Sequence, residues 1–399
     1  MNPTTHYGLQ GTIKVSIVEK GKVVRTYKPQ RNLILNRGLD DIASNTIGEC
    51  FRYCAAGTGS TATELLSGSE TATLSTGTVT ISQTGFLAGD SSDVGRTIKL
   101  TSGGTYLVIA AISATQCTVT PADTTSPDNF TIYNTNQTGL TSESTLPGPS
   151  SKRTQTYLTG APDCQTVTTG ATTLMTRTFD FAAETGSITY NEVGFSATQN
   201  LGNNLFSRIK LPSGVPLTIG QQLRVQYSLS VTVSPITPLT FSSSPIIGWP
   251  SATGTLQHHS IPMLYVSTTG QTSQGTNSVD GFFYANSGEP SQNLSNLIII
   301  STNSNPHGTY GFRWLDGSIT NVAVGLSSYV AGTYTRDKSG TFPVGSANAT
   351  NWRAYISIVN IGDGNFSGGA RYLMDVAQTK ASTFTLTLGF RTTWGRILT

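Results

Sequence analysis

Gln222-Leu223-Arg224-Val225-Gln226-Tyr227-Ser228-Leu229-Ser230-Val231-Thr232-Val233 carries an apolar residue at every odd position and a polar one at every even position. Successive side chains of a strand point to opposite faces, so this run demands one dry face and one wet face along its whole length. A helix would scatter the same apolar residues around its circumference. The run stops at Ser234-Pro235-Ile236-Thr237-Pro238, where two prolines remove ladder donors.

The same period recurs on both sides. Near the N-terminus Ile13, Val15 and Ile17 alternate with Thr12, Lys14 and Ser16, and Glu19-Lys20-Gly21-Lys22 turns the chain into Val23-Val24-Arg25-Thr26-Tyr27, which predicts a hairpin. Asn32-Leu33-Ile34-Leu35 leads to Asn36, expected as a helix N-cap, with Leu39, Ile42 and Ala43 at helical spacing behind it. This is the one short helix expected. Between residues 65 and 139 short Thr-rich alternations such as Thr78-Val79-Thr80-Ile81 and Gln116-Cys117-Thr118-Val119-Thr120 are separated by Gly and Asp turns. That stretch reads as a small β module inserted into a loop, and its apolar run at 105–112 as a buried strand. Towards the C-terminus Ile298-Ile299-Ile300, Trp352/Ala354/Ile356/Ile358 and Phe384/Leu386/Leu388/Phe390 are strand patterns, with turns at Asp316-Gly317 and Asp363-Gly364-Asn365. No repeat of fixed period is present, which excludes a solenoid or propeller.

Composition agrees. Of 399 residues 36% are hydrophobic and only 11% charged, yet 15 Tyr, 15 Phe and 4 Trp with a net charge of +3 exclude the high-charge, aromatic-poor profile of a disordered chain. Thr and aromatic residues suit pleated strands, while Gly, Asn and Ser suit the turns between them. The expected class is all-β and multidomain, with β-sandwich or jelly-roll-like domains, one short helix and the inserted module. The expected division is a split N-terminal domain over 1–64 and 140–235, the module over 65–139, and a C-terminal sandwich-like domain over 236–399.

Charge and termini bound the partners. The densest basic runs are Lys20-Gly21-Lys22 with Arg25 and Lys28, and Lys152-Arg153. Both read as solvated strand edges or loops, and no nucleic-acid partner is expected. Met1 to His6 contains no signal-type apolar core and no apolar run reaches membrane length, so no membrane insertion is expected and synthesis is placed in a bacterial cytoplasm. In that reducing setting Cys50, Cys54, Cys117 and Cys164 are expected as buried free thiols, because no second Cys or His pair completes a metal site.

Chemistry is sparse. Of the four histidines, His6 and His307 stand alone, and the adjacent His258 and His259 point to opposite faces of an extended chain. The carboxylates available for glycan cleavage are Glu184, Glu192, Asp280, Glu289 and Asp316, none in a recognisable setting. Gly57-Thr58-Gly59 lacks the third glycine and the helix of a dinucleotide loop and reads as a turn. Asp363-Gly364-Asn365 lacks calcium-loop ligand spacing. Trp249, Trp314 and Trp352 are candidates for stacking on sugars, with the β core as the commoner fate of such residues. The sequence therefore assigns no catalytic residue, no metal ligand and no cofactor site, and the chain is read as not an enzyme.

One ordered constellation goes further. Arg31-Asn32-Leu33-Ile34-Leu35-Asn36-Arg37-Gly38-Leu39-Asp40-Asp41-Ile42-Ala43 is followed by Cys54-Ala55-Ala56-Gly57-Thr58-Gly59, then by Phe179-Asp180-Phe181 and Ile188-Thr189-Tyr190-Asn191-Glu192-Val193-Gly194-Phe195-Ser196. Leu205-Phe206-Ser207-Arg208-Ile209 and the run Val215 to Val225 complete it. This order resembles the N-terminal domain of a group of tailed-bacteriophage tail, collar and fibre-type structural proteins. It spans residues 11–60 and 175–235, and the 65–139 module resembles small β modules of phage proteins more loosely. The resemblance implies a homo-oligomeric virion component that attaches to the particle through its N-terminal domain, with other copies of itself and other virion proteins of the tail, neck or portal region as partners. It supplies no catalytic residues. The alternatives are a receptor-binding protein whose C-terminal domain recognises a host surface glycan, and a capsid decoration protein.

Overall fold

The computed structural model describes residues 4–43, 49–61, 64–136, 153–154, 165–169, 172–197, 204–234, 239–241, 253–258, 295–302, 319–323, 325–362 and 365–398. The fold is all-β with a single short α-helix among these residues, α1 (Asn36–Asp41). No helix among them is long and apolar enough to cross a membrane.

The opening and the alternating run form the two longest partners of one sheet. β1 (Thr4–Glu19) lies antiparallel to β16 (Gln221–Ser234), in register from His6↔Ser234 to Glu19↔Gln221. Leu223, Val225, Tyr227, Leu229 and Val231 are fully buried while Gln222 to Thr232 at the even positions are half-buried, the partition that the sequence period predicts. The other edge of β1 is shared by three strands. β2 (Lys22–Thr26) takes Ser16 to Glu19, β3 (Gln30–Ile34) takes Gly11 to Ile13, and β25 (Leu386–Arg396) takes Thr4 to Leu9 in parallel. The β1–β2 hairpin closes through Lys20 and Gly21, both at positive φ (49° and 76°), a left-handed pair suited to a two-residue turn.

From β3 the sheet turns a corner. β3 passes from β1 to β15 (Leu205–Leu217) through Leu33↔Arg208 and Ile34↔Ser207, and β14 (Ile188–Ser196), β4 (Tyr53–Gly57) and β11 (Arg153–Thr154) follow outward. On the far side β16 continues to β13 (Thr172–Asp180) and β12 (Gln165–Thr169). The two halves face each other across an aromatic core. Phe195 stacks on Tyr227 at 4.1 Å, Phe179 lies 5.7 Å from Phe195, and Phe51 meets Tyr227 edge-on at 5.1 Å. Burying rings of this size supplies the main hydrophobic term of this half.

The inserted module is a closed six-stranded barrel in the order β10-β5-β6-β9-β8-β7. Its strands are β5 (Glu64–Ser75), β6 (Thr78–Ile81), β7 (Thr97–Leu100), β8 (Thr105–Ser113), β9 (Gln116–Thr120) and β10 (Thr125–Tyr133). Closure removes the open edges that short Thr-rich strands would otherwise expose. The apolar run at 105–112 departs from the sequence reading. Tyr106 and Val108 are buried, but Ile109 and Ile112 are about half exposed, because a bulge in the β8–β9 pairing falls at each of them. A small barrel has room inside for alternate residues only, so a continuous apolar run cannot bury both faces.

The third sheet has the order β17-β18-β24-β23-β19-β20. It comprises β17 (Leu239–Phe241), β18 (Gly254–His258), β19 (Ser295–Ser301), β20 (Ile319–Ala323), β23 (Ala349–Gly362) and β24 (Asn365–Lys380). Ile298, Ile300, Trp352, Tyr372 and Met374 of this sheet share a core with Phe342, Leu386, Leu388 and Phe390. The latter four lie on β22 (Thr335–Phe342), which also pairs β21 (Gly325–Leu326), and on its partner β25. β22 and β25 therefore cover the third sheet while belonging to the first. The first sheet thus draws strands from both sides of residue 235, since β25 returns to pair with β1. Trp394, at the end of β25, is 2% exposed, stacks on Tyr329 at 5.6 Å and donates its indole N–H to the Leu39 carbonyl at 2.7 Å.

Trp394→Ala is expected to lower the unfolding free energy by about 3 kcal/mol, the range for an aromatic side chain deleted from a core. Val344→Ala, at a valine 60% exposed, is expected to change it by less than about 0.5 kcal/mol in the same urea titration.

Candidate functional site

A cluster of polar side chains lies where the first sheet, the barrel and the C-terminal strand meet. Helix α1 sits at its centre. Leu39, Ile42 and Ala43 are buried as their spacing predicts, but Asn36 is not the N-cap. Leu35 precedes the helix without a side-chain cap, and Asn36 is its first residue. The Asn36 amide is spent on tertiary partners: Nδ2 donates to the Gly95 carbonyl of the barrel, and Oδ1 accepts from Arg396 Nη2 at 2.6 Å. Gly38 is dictated by space, since a Cβ there would stand 2.1 Å from the Phe206 carbonyl oxygen of β15.

Arg396 spans all three units. Nε donates to the Ile34 carbonyl at 2.9 Å, Nη1 to Thr97 Oγ1 of the barrel at 2.9 Å, and Nη2 to Asn36. Burial pushes its guanidinium down to about 10, opposed by Tyr334 and Asp40. Thr97 and Thr135 share a hydroxyl contact at 2.9 Å, and Thr135 Oγ1 donates to the Gly95 carbonyl at 2.7 Å. The Leu398 carbonyl accepts from Lys99 Nζ, and Ile397 N–H donates to the Leu9 carbonyl at 2.7 Å. Leu33, Leu35, Tyr133 and Leu205 form a small apolar cluster beneath these bonds.

Asp40 fastens the 327–334 segment to the helix. Its Oδ1 accepts from Tyr329 Oη at 2.5 Å and from Gly332 N–H at 2.8 Å. Burial first, then the bond to Asp40, holds the Tyr329 hydroxyl well above the usual phenol range. Arg336 Nη1 reaches the Ala43 carbonyl at 2.5 Å. The neighbouring Asp41 is buried and paired with Arg37 at 3.0 Å. Burial raises its carboxyl to about 6 against the pull of Arg37, with Asp40 adding to the rise.

A second buried node links two motif residues. Arg208 Nε and Nη2 donate to Glu192 Oε2 at 2.9 and 2.7 Å, both side chains are 0% exposed, and Nη2 also reaches the Thr61 carbonyl at 2.9 Å. Removing either partner from such a pair strands a buried charge. Glu192 is thus committed to holding the stretch that enters the barrel. Glu184, the other described carboxylate candidate, accepts from Tyr190 Oη at 2.7 Å and its backbone pairs with Gly220 and Gln221.

The remaining sequence candidates sort as follows. His6 is exposed and bonds Thr393 through Nδ1 at 2.9 Å. His258 ends β18, opposite Ala370. Gly57 ends β4 and Thr58-Gly59 continues as irregular chain with no turn assigned, held by Asn191 Nδ2 on the Thr58 carbonyl at 2.9 Å. Trp352 is core, 3% exposed, with its indole N–H on the Ala347 carbonyl at 2.9 Å. Cys50, Cys54 and Cys117 are buried thiols. His259, His307, Asp280, Glu289, Asp316, Asp363, Trp249, Trp314, Cys164 and Lys152 lie outside the described residues. Among the described residues no three His, Cys, Asp or Glu side chains gather into a metal-binding group. Asp40 falls within the Arg31–Ala43 constellation, whereas the sequence does not single out Tyr329, Trp394 or Arg396. For Trp394 and Arg396 the local sign is a cluster of large polar and aromatic residues at the end of a strand pattern.

These groups bond one another and backbone carbonyls, so the chemistry of the junction is attachment. No family model, curated protein or solved structure matches the chain.

Asp41 makes the junction pH-sensitive. Its folded-state value near 6 exceeds the unfolded value of 3.8, so the ionised carboxylate burdens the fold above pH 6 and the burden is relieved as pH falls. Asp41→Asn is expected to exceed the native chain in stability at pH 8, by on the order of 2 kcal/mol, with the advantage fading towards pH 4. Urea midpoints for both chains at pH 8, 6 and 4.5 measure it. An advantage that did not change with pH would contradict the assignment.

Proposed function

We propose that the chain is a structural building block of a tailed-phage particle that self-associates and attaches through its N-terminal sheet. The observation that carries the reading is spatial. The motif segments lie far apart in the chain, yet they supply α1 and the contiguous strands β4, β14, β15, β3 and β16 around one core, with β1 between the last two. Gly38, Glu192 and Arg208 within those motifs each meet a specific packing or pairing need, which is the use a structural module makes of such residues.

Surface chemistry supports association between like copies. The outer face of β13 and β16 presents Thr176, Thr178, Gln226, Ser228 and Ser230, half-buried and uncharged, with Thr176 and Ser228 hydroxyls 2.9 Å apart. Neutral hydroxyl and amide groups allow wide, wet interfaces without repulsion between identical subunits. The tie between β25 and β1 further joins both ends of the chain into one scaffold, a property that suits a particle component bearing mechanical load.

Light scattering on the purified chain at micromolar concentration tests this. A discrete oligomer is expected, and Gln226→Lys/Ser230→Lys is expected to shift it towards monomer with an unchanged melting curve. A chain that is monomeric throughout would contradict the reading.

A further inference from the structure

All five residues of β2 are exposed. It pairs with β1 alone among the described residues, none of which adds a strand to its outer edge. Val23 and Val24 at its middle are 51% and 55% exposed. The register shifts at Val24, since Val23 opposes Val18 and Arg25 opposes Ile17. An edge shielded only against aggregation is served by charge and a bulge, and two exposed valines add nothing to that defence.

The charge around this edge has one sign. Residues 19–31 contain Lys20, Lys22, Arg25, Lys28 and Arg31 against Glu19 alone, while the whole chain is only +3. The chain's entire excess of positive charge is therefore gathered here, and the rest is close to neutral. Glu19 is already engaged by Gln221 Nε2 at 3.2 Å. Lys20, Lys22, Arg25 and Lys28 are all exposed, with the Arg25 guanidinium lying over the Tyr27 ring at 4.6 Å.

We propose that the β2 edge is a docking site for an extended acidic segment of another protein, which adds to the sheet as a strand. Backbone groups along the β2 edge supply the ladder, the valines supply apolar contact, and the flanking cations select carboxylates. A second copy is disfavoured as the occupant. Two β2 strands set antiparallel bring Lys22 and Arg25 of both copies into one interface, and like charges repel there. The inference does not depend on the particle reading above.

The probe is a fluorescein-labelled peptide of alternating glutamate and valine, titrated with the full chain by fluorescence anisotropy. Binding with a dissociation constant on the order of tens of micromolar is expected. Lys22→Glu/Arg25→Glu is expected to weaken it by about ten-fold or more, with the circular-dichroism melting curve unchanged. If that variant melts differently, Lys20→Glu/Lys28→Glu, outside the strand, gives the same comparison. A peptide methylated at alternate backbone nitrogens and a lysine–valine peptide are both expected not to bind. The proposal is overturned if the acidic peptide fails to bind, if the methylated one binds equally, or if double-stranded DNA binds more tightly and is lost with the same variants.

Discussion

The antiparallel ladder between β1 and β16 is the constraint on which the other parts of the molecule depend. It runs from His6↔Ser234 to Glu19↔Gln221 and leaves one long edge of β1 available. That edge is divided among β25, β3 and β2, so a single strand sets the position of the C-terminal sandwich, the corner into the second half-sheet, and the exposed hairpin. A slip of one residue would invert every side chain of β1 between core and solvent. Gly11 guards against it locally, because a Cβ there would stand 2.6 Å from the Tyr227 hydroxyl. The same register brings Ile13, Val15 and Ile17 onto the core that Leu223, Val225 and Tyr227 line from the neighbouring strand.

Charge serves attachment at the two polar nodes. Glu192 and Arg208 are fully buried and joined through two bonds, a pair whose desolvation cost makes it a weak source of net stability and a strong determinant of geometry. At the junction Arg396, Arg336, Asn36 and Lys99 donate to the carbonyls of Ile34, Ala43, Gly95 and Leu398 respectively, and Asp40 accepts from Tyr329 and Gly332. Such bonds are directional, so they set the angle between sheet and barrel more sharply than apolar contact does.

Local period made much of this legible. The alternation at 223–231 appears in the structure residue for residue, as do the Lys20-Gly21 hairpin and the helical spacing of Leu39, Ile42 and Ala43. Of the 384–390 pattern Leu386, Leu388 and Phe390 are buried, while Phe384 is half-buried before the strand begins and Gly389 is buried too. These features depend on neighbours in sequence. What was not legible depends on partners hundreds of positions away. Asn36 reads as a cap because nothing nearby reveals Gly95 or Arg396, which take its amide. The run at 105–112 reads as buried because bulges, which expose Ile109 and Ile112, leave no periodic trace. The parallel pairing of Arg391 to Arg396 with Thr4 to Leu9 has no turn signal to announce it. The bonds of Asp40 to Tyr329, of Arg336 to Ala43 and of Arg396 to Ile34, Asn36 and Thr97 share that fate, since each closes a long loop.

Native-state hydrogen exchange on the two ends of the chain tests the central claim most directly. If β1 ties both ends into one body, the paired amides of Thr4 to Leu9 and of Arg391 to Arg396 should exchange as slowly as those of Leu223 to Val231 and lose protection together as urea is added. Rapid exchange across Arg391 to Arg396, with the β1–β16 ladder still protected, would show the last strand to be a loosely held tail and would contradict the account.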